Sequence, residues 1–382
     1  MPDSRIAMAS TRVNGTAGRK IGSPSIMPWR MTVRVALMAQ VYRINGTAGF
    51  SVPGAPLSWV SRSKQRPGFH PASHLPAVLS MFRFTLALSL LFALPASAAI
   101  YPLPPVGDDL IGETVTVPAR HEDTLLDIAR LLDIGQEEIL RANPDVDRWL
   151  PGEGTPVVIP SQFVLPVASY HGLVLNLPEM RLYYYPQAAE GEAPKVHTYP
   201  ASIGRMDWAT PLGKTRVVSK KKGPTWTPPE SVRKEHAEAG DPLPRVVPPG
   251  PDNPLGDYAI YLALPSYLIH GTNKSFGVGM RVSHGCVRML PEDIEELFPL
   301  VAANTPVHIV NQPAKAGWLD DVLYLEVHPP LEEDRDDPGL LTQAVSSAIE
   351  GARTGRWVRL DNRAIQAAIE AQTGIPVRIS LD

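Results

Sequence analysis

The sequence predicts a mainly β protein. It has a β-rich, sandwich-like domain with short helices and a long proline-rich loop, a small β-α-α-β unit before it, and an α+β extension after it. Three observations carry this prediction. Proline makes up 41 of 382 residues, about 11% against a usual ~5%, and proline interrupts helix interiors. Stretches rich in β-branched and aromatic residues recur between 168 and 311, separated by turn residues. Apolar spacing of helical period is confined to short runs. Charged residues at 20% and apolar residues at 44% are ordinary for a folded chain and exclude a wholly disordered one.

The net charge of −3 averages two unlike parts. Residues 1–80 hold ten Lys/Arg against one acid, Asp3, a balance of +9. Ala99–Asp382 holds 25 bases against 38 acids, a balance of −13. Residues 1–80 show no sustained apolar period and contain a near-repeat, Arg12–Gly18 and Arg43–Gly49. At Met81 a short basic start with Arg83 leads into the apolar run Phe84–Leu94, then Pro95-Ala96-Ser97-Ala98-Ala99. These are the parts of a secretory signal peptide, 81–98, cleaved after Ala98. The run falls short of the ~20 apolar residues that a span requires, so no stable membrane span is expected after cleavage. Such a signal belongs at an amino terminus. Residues 1–80 are therefore expected to be a gene-model artefact, with translation starting at Met81; a basic disordered tail is the alternative. The exported chain lacks the strong basicity that nucleic-acid binding needs.

Along the exported part, residues 100–112 read as an extended lead-in. Thr114–Val117 alternates as a strand. Asp123 can cap a helix in which Leu125, Ile128, Ala129 and Leu132 keep helical spacing. A second helix near Gln136–Ala142 is stopped by Asn143-Pro144, and Val157–Pro160 closes the unit as a strand. Between 168 and 311, strands are expected at Leu173–Leu177, Met180–Tyr185, Val196–Ser202, Lys214–Val218, Tyr258–Leu264, Tyr267–His270 and Val307–Asn311, with a helix at Pro291–Phe298. Tyr183-Tyr184-Tyr185 reads as a strand with a core face, and Lys220-Lys221-Lys222 as a solvated turn. Residues 220–257 carry nine prolines and little regular pattern, the signature of a functional loop or linker. The extension, 312–382, holds a strand at Val322–Val327, helices near Leu340–Gly351 and Ala364–Ala371, and a closing strand at Pro376–Ile379.

The unit at 113–160 resembles a LysM module. The residues that carry the resemblance are Asp123-Thr124-Leu125, Ile128-Ala129, Ile139–Pro144 and Pro151-Gly152…Val158-Ile159-Pro160. LysM modules bind N-acetylglucosamine-containing glycans such as peptidoglycan, so the resemblance implies a glycan-binding module; a structural domain without sugar binding is the alternative.

One cysteine, Cys286, rules out an internal disulfide and leaves either an intermolecular partner or a reactive thiol. Its surroundings favour the thiol: His270-Gly271-Thr272-Asn273…Arg281-Val282-Ser283-His284-Gly285-Cys286-Val287-Arg288. A cysteine nucleophile needs a base or a positive field, because its free pKa is ~8.5. Histidine supplies the base and later returns the proton. Gly285 allows a tight turn whose N–H groups can face an oxyanion.

This stretch resembles the L,D-transpeptidase catalytic domain family, whose pattern is a histidine, a gap of about fifteen residues, then Ser/Thr-His-Gly-Cys. Here it is met by His270 and Ser283-His284-Gly285-Cys286, with flanking matches at Gly204–Thr215, Pro224–Pro229 and His270–Asn273. The resemblance implies a catalytic domain at 168–311 with Cys286 as nucleophile and His270 as proton acceptor and donor. It also implies the Gly271 carbonyl orienting His270 and the backbone of His284, Gly285 and Cys286 as oxyanion hole. Arg288 would hold substrate carboxylates, Ser283 would position, and Asn273 and Trp226 would shape the donor cleft. The implied partners are peptidoglycan stem peptides and glycan strands, with diaminopimelate of another stem or a lysine of an envelope lipoprotein as acceptor. No metal or organic cofactor is implied, and the implied location is the periplasm. Hydrolysis of the same acyl-enzyme (an L,D-carboxypeptidase or lipoprotein-detaching amidase) and a LysM wall-binding protein without catalysis are the alternatives. A papain-like endopeptidase fits less well, since there the cysteine normally precedes the histidine.

Overall fold

The computed structural model describes residues 99–381. The expected leader, 1–80, and the expected signal peptide, 81–98, lie outside the described residues. In chain order the elements are β1 (Ala99–Pro102), β2 (Leu110–Gly112), β3 (Val115–Pro118), α1 (Leu125–Leu131), α2 (Gln136–Ala142), β4 (Pro156–Ile159) and β5 (Gln162–Val164). There follow β6 (Gly172–Asn176), β7 (Arg181–Tyr185), β8 (Lys195–Gly204), β9 (Gly213–Lys222), α3 (Glu230–Glu238), β10 (Tyr258–Leu262), β11 (Leu268–His270), β12 (Arg281–Ser283), β13 (Val287–Met289), α4 (Pro291–Leu300) and β14 (Pro306–Val310). The last part is β15 (Ala314–Leu319), β16 (Val322–Val327), α5 (Leu340–Ala352), α6 (Asn362–Ala371) and β17 (Val377–Arg378).

The central sheet has two groups of strands that share β8 and β9, in keeping with a sandwich-like arrangement: β8-β7-β6-β14-β9 and β9-β10-β11-β13-β8. Its strands pair in the order β8-β13-β11-β10-β9-β14-β6-β7, and β7 pairs back onto β8, so the circuit closes. The cause is the length of β8. His197–Pro200 pair with β7, while Ala201 and Ser202 pair with β13, so one long strand serves both ends of the sheet. Closure removes the open edges that separate sheets would have to protect. Inside lie Leu173, Leu175, Leu182, Ile260, Ile269 and Met289, and α4 covers them with Ile294 and Leu297. Along β7 the period-two alternation sends Leu182 and Tyr184 into this core. Arg181, Tyr183 and Tyr185 face the other way and are still buried.

What buries that outer face is the neighbouring β-α-α-β unit and the C-terminal part. β3 and β4 pair antiparallel, and α1 and α2 stand between them in sequence. Thr124, not Asp123, caps α1: its hydroxyl accepts from the Asp127 N–H and Asp127 reaches back, a reciprocal capping box. Asp123 instead accepts from Arg120. The N–H groups of Gln136 and Glu137 at the start of α2 donate to the carbonyls of Val278 and Gly279. Glu138 forks onto the buried Arg181 guanidinium at 2.7 and 2.8 Å. The lead-in is two short strands, β1 on β8 and β2 on β5.

Two elements of the proline-rich region differ from expectation. Lys220–Lys222 is not a turn but the end of β9, with Lys222 opposite Tyr258. The lysine ammonium groups sit over rings, Lys220 Nζ 4.7 Å from the Phe298 centroid and Lys222 Nζ 5.2 Å from the Tyr258 centroid, as cation–π contacts. The loop that follows contains α3, a helix with only Val232 buried. In the extension, β15 was not foreseen; it pairs with β16 along its whole length, and α5 packs on this sheet through Val345 and Ile349. Among the described residues no helix is long and apolar enough to cross a membrane.

Candidate active site

Two short strands bring the predicted groups together. β11 and β13 run parallel in neighbouring positions, with Ile269 opposite Val287 and His270 opposite Arg288. Cys286 is the residue before Val287, so the parallel register sets it opposite Leu268, two residues before His270 and on the same face of the strand pair as His270 and Arg288. Between β12 and β13 the chain turns through His284, Gly285 and Cys286. Ser283, buried, closes this turn by donating its hydroxyl to the Cys286 carbonyl at 2.5 Å. Thr210 donates to the Gly285 carbonyl at 2.9 Å and accepts from the Gly204 N–H at 2.9 Å. Gly285 has φ +97°, the left-handed region, and a Cβ there would lie 2.8 Å from a Tyr267 ring carbon.

His270 is buried, and its Nδ1 donates to the Gly271 carbonyl at 2.6 Å. A carbonyl only accepts, so Nδ1 carries the hydrogen and Nε2 holds the lone pair. Burial, with the neighbouring Arg288 cation adding to it, pushes the His270 pKa down to about 3. The ring is neutral at physiological pH. Burial also pushes the Cys286 thiol up, against the smaller opposing pull of the Leu268 N–H and of Arg288. The thiol donates to the Ser266 carbonyl at 3.6 Å. The resting pair is therefore a thiol and a neutral imidazole, not an ion pair. Arg288 is lowered by burial, and its Nε is buried without a hydrogen-bond partner. An orphaned guanidinium nitrogen beside the thiol is suited to an incoming carboxylate.

The remaining expected residues lie further out. His284 is held by other partners: its Nε2 donates to Glu235 Oε2 at 3.1 Å, and its ring meets Trp208 edge-on at 5.3 Å. Asn273 donates to the Pro251 carbonyl at 3.3 Å, and Trp226 exchanges two backbone hydrogen bonds with Val247. These hydrogen bonds tie into the proline-rich segment. Sequence reasoning missed Asn253. It is fully buried, donates to the carbonyls of Pro224 and Pro248, and accepts from the Leu255 N–H. The Leu255 carbonyl in turn bears on His270. Glu235, Arg205 and Thr210 were missed as well; Thr210 lies in the stretch Gly204–Thr215, but its role appears only in the fold.

One group of potential metal ligands comes together among the described residues: Glu179, Glu326 and His328, all buried. The Lys315 ammonium lies 2.9 Å from Glu179 and 2.8 Å from Glu326, in the place a cation would take.

A lone thiol on a glycine turn, with a carbonyl-held histidine and a half-buried arginine on the adjoining strand, is the site of a cysteine enzyme. The family model for the YkuD domain, the L,D-transpeptidase catalytic domain, matches residues 171–309. The chain is 41% identical over 300 residues to Probable L,D-transpeptidase YbiS of Escherichia coli K12, covering 76% of this chain and 94% of that one. It is 41% identical over 306 residues to Probable L,D-transpeptidase ErfK/SrfK of the same organism, covering 77% and 95%. Probable L,D-transpeptidase YcfS, also from that organism, is 40% identical over 303 residues, covering 78% and 93%. Among solved structures, the NMR structure of the catalytic domain from the E. faecium L,D-transpeptidase covers 38% of this chain and 100% of its own, at 20% identity and a TM-score of 0.27. The chain belongs to the L,D-transpeptidase family.

Proposed function

We propose that this enzyme acylates Cys286 with a peptidoglycan tetrapeptide stem, releases D-alanine, and transfers the stem to an amine. The observation that supports the residue roles best is the parallel register of β11 on β13, which puts Arg288 opposite His270 and Cys286 two residues before it on the same face. As Sγ attacks the carbonyl before the terminal D-alanine, His270 Nε2 takes its proton; the Gly271 carbonyl keeps Nδ1–H occupied and so fixes which nitrogen is the base. The imidazolium then gives that proton to the departing D-alanine amine, and a thioester remains. The carbonyls of Gly285 and Cys286 are tied to hydroxyls, so the N–H groups of His284, Gly285 and Cys286 are what the turn offers an oxyanion. Arg288 holds a stem carboxylate, Ser283 positions the turn, and Asn273 and Trp226 frame the donor side.

The catalytic domain is read as 168–311 and the extension as 312–382. Residues 113–160 are read as a LysM-like module that holds glycan strands; the β3-α1-α2-β4 order supports this. Export to the periplasm rests on the signal-like segment 81–98. The acceptor is a diaminopimelate amine of another stem or a lysine of an envelope lipoprotein. Incubating Ala99–Asp382 with tetrapeptide muropeptides tests the reading through its products. A stem dimer indicates cross-linking, a tripeptide alone indicates hydrolysis, and a product requiring added lipoprotein indicates anchoring. Release of no D-alanine under any of these conditions would reject the reading.

A further inference from the structure

The reaction's second substrate is a primary amine. At neutral pH it is an ammonium and must lose a proton before it can attack a thioester. A carboxylate near the thioester with a neutral imidazole beside it would hold and deprotonate such a group. The fold assembles one at His284, on the turn that presents Cys286. Glu235, on α3, accepts from His284 Nε2 at 3.1 Å and from Arg205 Nη2 at 2.6 Å, both on Oε2. Oε1 takes no protein partner among the described residues. The side chains of Arg205, Glu235 and His284 are 36%, 40% and 26% exposed, so a solute can reach them.

The chemistry of the cluster is set by its hydrogen bonds. Arg205 and His284 hold the Glu235 carboxyl below the usual range, so it is ionised. Burial lowers His284, so its ring is neutral. A carboxylate only accepts; Nε2 of His284 therefore carries the hydrogen and Nδ1 keeps the lone pair. The two histidines are oriented in opposite senses, His270 with Nε2 available and His284 with Nδ1 available. His284 is two residues from Cys286 on the same turn.

We infer that Glu235 receives the acceptor's ammonium through Oε1 and that His284 takes one of its protons, a step that rests on the thioester reading above. Arg205 and Glu235 cancel as charges, so binding is a directed hydrogen bond rather than attraction to a net negative field. The freed amine attacks the thioester carbonyl, and its C–N bond forms as the C–S bond breaks. Its second proton passes through His270 to the departing sulfur, leaving an amide and the Cys286 thiol. The proton on His284 is lost to solvent.

The test separates the two half-reactions. The enzyme and Glu235→Gln are acylated with a tetrapeptide muropeptide, and adduct formation is timed by intact-protein mass spectrometry. Acceptor is then titrated in two arms, a diaminopimelate stem peptide and a lysine-containing peptide, and transfer is compared with hydrolysis. The expected result is adduct formation within about twofold of the unaltered enzyme, with about tenfold more acceptor needed for equal transfer, the loss that one charged hydrogen bond supports. An effect in one arm only names the ammonium's source and still supports the inference. Adduct formation and transfer falling in step would mean that Glu235 only clamps α3, and an unchanged transfer-to-hydrolysis ratio in both arms would exclude ammonium binding; either overturns it. Absence of a thioester on the unaltered enzyme would overturn the acyl-enzyme reading itself, and this inference with it.

Discussion

At Gly285 an added Cβ would lie 2.8 Å from a Tyr267 ring carbon and 3.3 Å from the Trp208 carbonyl, on a backbone already at φ +97°. Gly285→Ala is expected to destabilise the fold by about 1–3 kcal/mol and to slow acylation, because the turn that presents Cys286 must shift. Urea unfolding and the rate of adduct formation check the two effects separately. The neighbouring pair makes a pH prediction. His270 binds a proton only near pH 3, far below its ordinary 6.5, and burial raises Cys286, so the thiol–imidazole pair persists between those limits. Acylation should therefore be level from about pH 5 to 8, and an acid limb near 6.5 would show that His270 titrates normally. Cys286 and His270 were legible in the sequence because their spacing is part of a local motif. Glu235 was not: it sits in the polar run Glu230–Glu238, and only the fold brings it to His284.

The proline-rich region shows the same limit at the scale of elements. Helix α3 buries a single apolar residue, so it leaves no periodic trace in the sequence. β15 was hidden because Ala314–Leu319 is rich in alanine and glycine and is held by its register with β16 rather than by β propensity. By contrast α2 and β16 lie where periodicity placed them. In the loop after α3 the side chain of Asn253 makes the largest share of the side-chain hydrogen bonds, beside the Trp226–Val247 backbone pair. Asn253→Ala leaves the Pro224 and Pro248 carbonyls and the Leu255 N–H without this partner, and should cost about 2–3 kcal/mol while slowing acylation through His270. Thermal unfolding and adduct timing measure both. In the β-α-α-β unit, Trp149 is 64% exposed on the α2–β4 connection, where Asp147 accepts from its N–H. If the unit holds glycan, Trp149→Ala should weaken pelleting with isolated sacculi and spare turnover of soluble muropeptides; unchanged pelleting would remove Trp149 from that role.

Across the whole molecule, buried charge joins parts that the sequence presents as separate. Arg181 of the central sheet is paired with Glu138 of α2, and Lys315 of β15 lies between Glu179 and Glu326. Glu138→Ala would leave the buried guanidinium without its counter-charge, at a cost of about 3–5 kcal/mol. Because the pair spans the junction, unfolding should remain one transition at a lower midpoint; two separated transitions would show that the units are independent. Such pairing was illegible beforehand, since Arg181 and Glu138 lie 43 residues apart and only the fold shows β7 covered on both faces. The closed circuit was equally hidden, because strand spacing does not say that β8 pairs at both ends of the sheet. What that circuit supports is one thiol beside one histidine. The most direct test of this account is intact-protein mass spectrometry of the enzyme and Cys286→Ala after incubation with a tetrapeptide-stem muropeptide. The enzyme should gain the mass of the stem less D-alanine, and the folded variant should gain nothing. The same adduct on Cys286→Ala would contradict the account.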